Sequence, residues 1–73
     1  MYDVRDENEG QLITVRARLA DANTDAKRLS IQKRNHHITV RLRAGKRYCC
    51  LAHYLNGARQ LASVIEIIQE NKP

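Results

Sequence analysis

Apolar and polar positions alternate through three stretches of this chain. In residues 11–19, Ile13, Val15, Ala17 and Leu19 fall on one side while Thr14, Arg16 and Arg18 fall on the other. In residues 29–34, Leu29 and Ile31 oppose Ser30, Gln32 and Arg34. The alternation is clearest in residues 38–43, where Ile38, Val40 and Leu42 oppose Thr39, Arg41 and Arg43. A period of two is that of a strand with one buried face, so three strands are expected. Asp21 to Asp25 and Asn35 to His37 supply turn-forming residues between them. Beyond Lys46 the period lengthens. Leu51, Tyr54, Leu55, Ala58, Leu61, Ala62, Ile65 and Ile68 recur at steps of three and four, which draws a helical stripe. Asn56 and Gly57 interrupt it, so one long helix and two helices over residues 46–55 and 58–69 both fit. The expected fold is α+β: a three-stranded antiparallel β-sheet followed by a C-terminal helix, or by two helices broken at Asn56 and Gly57.

Residues 1–10 are polar, with Asp3, Asp6, Glu7 and Glu9 against Arg5, and lack obvious periodicity. They read as a flexible acidic leader to a single β-β-β-α domain spanning residues 11–70. One role for such a leader is to fold over a basic face and screen it; an ordinary frayed terminus is the other reading. At the opposite end, Val64 and Ile67 give the C-terminal segment more apolar surface than one sheet face needs, which suits a homodimer contact.

Composition narrows the picture. In 73 residues there is no Phe and no Trp, so the core rests on aliphatic residues and the tyrosines. The first residues carry charge and no apolar run, which argues for a cytoplasmic protein with no membrane association. Cys49 and Cys50 are adjacent and close no useful loop, so free thiols are expected.

Charge is segregated. The net charge is +5, yet no acid occurs between Ala26 and Ile65, a stretch holding Lys27, Arg28, Lys33, Arg34, Arg41, Arg43, Lys46, Arg47 and Arg59. Laid on one three-stranded sheet, the polar positions place Arg16, Arg18, Arg34, Arg41 and Arg43 on the outer face, with Gln32 and Thr39 between them. Guanidinium groups grip phosphate or the guanine edge in two-point fashion, so this face suits DNA, or else an acidic surface of a host protein. The grouping depends on all three strands: with only the third, Arg41 and Arg43 remain together.

Other chemistries find less support. His36, His37, Cys49, Cys50 and His53 are zinc-capable, but adjacent thiols lack the spacing of structural zinc sites, so neither metal nor cofactor is expected. A Cys/His nucleophile pair has no acid near it in sequence, and no glycine-rich phosphate loop is present, which points away from an enzyme.

Residues 38–68, with Thr39, Arg41 and Arg43 on a strand ahead of two helices, resemble the ribbon-helix-helix repressors; that likeness implies a dimer whose strands enter the major groove. The order of three strands and a helix with an arginine-bearing sheet is similar to the arm-binding domains of tyrosine recombinases and to the AP2 domain. Tyr48, Leu51 and Leu55 after a hairpin resemble small bacteriophage and prophage proteins, which implies DNA binding or inhibition of a host protein. The resulting expectation is a small non-enzymatic DNA-binding or accessory regulatory protein of phage type, with a phage-type inhibitor or adaptor of an acidic host protein as the alternative.

Overall fold

The computed structural model describes residues 1–60. Its elements run β1 (Tyr2–Asp6), β2 (Gln11–Arg16), α1 (Leu19–Gln32), β3 (Ile38–Ala44), β4 (Arg47–Leu55) and β5 (Ala58–Arg59). All strand pairings are antiparallel, in the order β2-β1-β3-β4-β5. The expected three-stranded sheet with a C-terminal helix is therefore replaced by a five-stranded sheet whose helix is internal to the chain. Residues 61–73, which carry the expected dimer positions Val64 and Ile67 and most of the second helix, lie outside the described residues. No helix among the described residues is long and apolar enough to cross a membrane.

Each correction has a local cause. The acidic leader is β1, because Tyr2 and Val4 alternate with Asp3 and Arg5, and Val4 is fully enclosed. Its period of two is easy to overlook when the third inward position is Asp6, itself fully buried. Residues 29–34, expected as a strand, are mainly the last turn of α1. The inward face of that helix consists of Ala22, Asp25, Ala26 and Ser30. Small and polar residues at steps of three and four pack a helix close to a sheet without drawing an apolar stripe. Ile31, the residue that most suggested a strand, is exposed.

Residues 46–55, expected to be helical, form β4. Ala52 and Tyr54 enter the core two residues apart, next to Val40 and Ile38 of β3. The register shift between Val40 and Arg41 admits one additional β4 residue, Leu51, and so breaks the strict alternation that would have marked a strand. Asn56 and Gly57 do not break a helix; they turn a hairpin. Both have positive φ, 52° and 83°, as a two-residue turn between β4 and β5 requires.

The core lies between α1 and one sheet face. Val4, Val40 and Ala52 line up across β1, β3 and β4, and Ile38 and Tyr54 make the next row, covered by Ala22 and Ala26 with Leu29 beside them. Each aliphatic side chain enclosed here contributes about 1.5–3 kcal/mol.

Gly57 separates the two readings of this region by the sign of one measurement. In a helix interior Gly57→Ala would stabilise the protein by about 1 kcal/mol. In the hairpin an added Cβ meets Ile31 Cγ1 at 2.8 Å and sits at positive φ. The expected outcome in urea denaturation is a loss of about 1–2 kcal/mol.

Candidate functional site

The alternation of β1 and β3 sends Asp3, Arg5, Thr39 and Arg41 to the sheet face opposite α1, paired as Asp3 with Arg41 and Arg5 with Thr39. His53 of β4 stands opposite Thr39. Four of these groups, Asp3, Thr39, Arg41 and His53, are almost fully buried. Their environment is ionic. Glu7 accepts from Arg41 Nη2 at 2.7 Å, Arg5 Nε at 3.2 Å and Thr39 Oγ1 at 3.1 Å, while Asp3 holds Arg43 Nη2 at 2.8 Å. The Arg41 guanidinium also lies 4.1 Å from the centre of the Tyr48 ring. A buried cation with a carboxylate on one side and an aromatic face on the other is held in a single orientation.

Where β1 ends, the hairpin of β3 and β4 continues. Leu42 is the last β3 residue opposite β1, and every residue from Leu42 to Cys49 is exposed. Ala44 pairs with Arg47 across a two-residue turn of Gly45 and Lys46, with Gly45 at φ 62°. The projecting tip thus carries Arg43, Lys46, Arg47 and Tyr48. Among the described residues no carboxylate pairs with Lys46 or Arg47. Beneath the tip, on the face away from α1, a depression of about 270 Å³ is lined by Asp3, Arg5, Leu12, Arg41, Arg43 and Tyr48.

Of the arginine face expected from the sequence, the structure brings Thr39, Arg41 and Arg43 together on β3 and separates the others. Arg16, on β2, faces α1, where Asp25 takes its Nε at 2.6 Å and holds the guanidinium above its ordinary pKa by hydrogen bonding and charge. Arg18 precedes the first turn of α1, Gln32 ends the helix, and Arg34 stands in the following loop beside Asn35 and Asn56. Residues 11–16 do form a strand, β2, but its polar positions Thr14 and Arg16 stand opposite Val4 and Tyr2, on the side of α1, so Arg16 is turned away from Arg41 and Arg43. Four participants lie outside the expected set: Arg5, hidden in an acidic segment, and Lys46, Arg47 and Tyr48, in a stretch expected to be helical. A glycine followed by two cations and an aromatic residue was the available sign of an exposed hairpin.

Two further polar clusters stabilise the fold. Asp6 accepts from Lys33 Nζ at 3.1 Å, His36 Nδ1 at 2.7 Å and the backbone N–H groups of Asn8 and Glu9. Burial alone would raise its pKa; the bonds from His36, Lys33 and Glu9 outweigh it and leave the carboxyl below its ordinary value. Asp6, Glu9 and His36 are close enough to share a metal ion. Lys33 already occupies that position, bonded to both carboxylates, and is held above its ordinary pKa chiefly by Asp6.

The zinc-capable residues noted in the sequence do not converge as a set. Cys49 is exposed on β4, whereas His37 Nδ1 and His53 Nε2 meet at 2.6 Å, with ring centres 4.7 Å apart. Two imidazoles at this distance share one proton. Burial, and then the charge of His37, push His53 down to about 4, against the opposing pull of Glu7.

Comparison with protein-family models, with curated proteins and with solved structures gives no match.

The His53 shift sets a pH dependence. Its folded pKa of about 4 lies below the 6.5 of an ordinary histidine, so the unfolded chain binds the proton more readily between those values. Stability from this group is complete above pH 6.5 and falls as pH drops towards 4. Urea denaturation at pH 7 and pH 5 should differ by about 2 kcal/mol, and a folded His53→Asn variant should lose most of that difference.

Proposed function

We propose that this is a small non-enzymatic nucleic-acid-binding protein, with DNA as the foremost ligand, whose contact surface is the β3–β4 hairpin and the adjoining sheet face. The observation that carries this reading is the projecting tip, where Lys46 and Arg47 stand in solvent with no carboxylate partner among the described residues. A field of one sign on a narrow, projecting two-stranded ribbon draws a polyanion.

Arg43 adds a third cation that is half exposed, and its pairing with Asp3 is of the weak surface kind. Arg41 has a different role. Enclosed between Glu7 and Tyr48, it orients the hairpin. Arg16 is committed to Asp25 and stands outside the proposed surface. A cytoplasmic location goes with the reading, since nucleic acid and free thiols both belong there.

Fluorescence anisotropy with labelled DNA at two salt concentrations tests it. Binding should weaken steeply with salt, because each phosphate that is neutralised releases counterions. In a Lys46→Ala/Arg47→Ala double variant the logarithmic salt slope should become shallower by about 1.5 to 2. Unchanged affinity and slope in the folded variant would remove the tip from the interface. A stoichiometric protein captured from nuclease-treated lysate, together with no DNA binding, would instead make the partner an acidic protein.

A further inference from the structure

Resting on that reading, we infer that the depression beneath the hairpin receives one unpaired nucleobase, so that the protein prefers single-stranded nucleic acid to duplex. The lining has the composition a base requires. Tyr48, 45% exposed, and Leu12, 41% exposed, offer an aromatic and an aliphatic wall. Ordinary surface positions do not present two such side chains around one hollow between cations. The Arg41 guanidinium lies against the Tyr48 ring and supports this wall from one side.

The polar end of the depression supplies the second, independent observation. Arg41 Nε and Asp3 Oδ1 are both buried without a hydrogen-bond partner. They belong to side chains directly opposed across β1 and β3, on the face that forms the hollow. One is a donor and the other an acceptor. Buried groups of this kind normally find partners, and an orphaned pair destabilises the fold. The edge of an unpaired base presents the complementary set, an acceptor beside a donor. In a duplex that edge is already engaged by the opposite strand. The exchangeable element is Arg43, which holds the other Asp3 oxygen through a pair that is half exposed on the arginine side. When it moves to a phosphate, Asp3 becomes available to the base.

Phosphates flanking the seated nucleotide would then meet Lys46 and Arg47, which precede Tyr48 in the chain, and Arg43, its partner on β3. Stacking on an aromatic ring tolerates any base, while the backbone is read by charge. The same chemistry is offered by single-stranded DNA and RNA.

The test measures anisotropy of the full chain with labelled oligothymidylate and oligouridylate of about a dozen nucleotides, an abasic strand of equal length and a matched duplex. The intact single strands should bind about 10-fold or more tightly than the abasic strand and the duplex. Tyr48→Leu should weaken binding of the intact strands by about 5- to 100-fold and leave the abasic strand unaffected. Tyr48→Phe should retain most of the affinity, which distinguishes loss of the ring from loss of folding. Thermal melts of both variants check that they fold. If duplex and abasic strand bind as well as the intact strands, or if folded Tyr48→Leu binds normally, the base-binding inference is overturned, while a response to Lys46→Ala/Arg47→Ala keeps the wider reading. If no nucleic acid binds at all, the wider reading fails first.

Discussion

An acidic strand lies at the interior of a basic sheet, and most of the molecule depends on that placement. β1 is paired along both edges, with β2 on one side and β3 on the other, so its backbone groups are engaged throughout. Val4 anchors one face of it against α1. The other face delivers Asp3 and Arg5, and the turn that follows delivers Glu7, to a region where β3 brings Arg41 and Arg43. Without those carboxylates, Arg41 would be a buried charge with nothing to balance it, a cost of several kcal/mol. The sheet can therefore carry arginines on a nearly closed face because its most acidic strand is their neighbour.

This arrangement divides the cations into two populations. Arg5, Arg16, Lys33 and Arg41 are committed to carboxylates and serve the fold. Lys46 and Arg47, two residues beyond the reach of β1, serve nothing within the described part of the chain. Arg18, Lys27, Arg34 and Arg59 likewise have no carboxylate partner among the described residues, but they are scattered over the surface, whereas Lys46 and Arg47 stand side by side at the end of one hairpin. Arg43 stands on the boundary, paired to Asp3 yet open to solvent.

How much of this was legible in the sequence follows from the same physics. β3 is legible as a strand because bulky Ile38, Val40 and Leu42 alternate with polar residues, although Thr39 and Arg41 are buried and Leu42 is exposed. Thr39, Arg41 and Arg43 share an element for that reason. β1 was lost because its inward row includes Asp6, whose burial is sustained by Lys33 and His36 from a loop thirty residues on, a compensation that no local pattern displays. α1 was lost because alanine and serine lie against the sheet where leucine is usually sought. β4 was the more avoidable error: its extra residue at the register shift mimics a helical step, but Asn56 followed by Gly57 is among the strongest hairpin signals a sequence offers. Reading that pair as a turn between strands would have restored the hairpin and, with it, the exposed tip.

The strand order also bears on how the chain reaches this state. β1 and β2 are joined by a short turn and pair locally, whereas the other edge of β1 must wait for β3, whose paired residues begin at Ile38. From the end of β2 at Arg16 to Ile38, at a synthesis rate of about 5–20 residues per second, that interval is roughly 1 to 4 s. Throughout it the nascent N-terminal hairpin presents an open edge to its surroundings. Asp3, Arg5 and Asp6 along that edge are charged, and charge on an unpaired strand is what discourages it from joining a stranger. Asp3, which later balances Arg43, and Asp6, which later holds Lys33, thus act first as guards on an unfinished sheet.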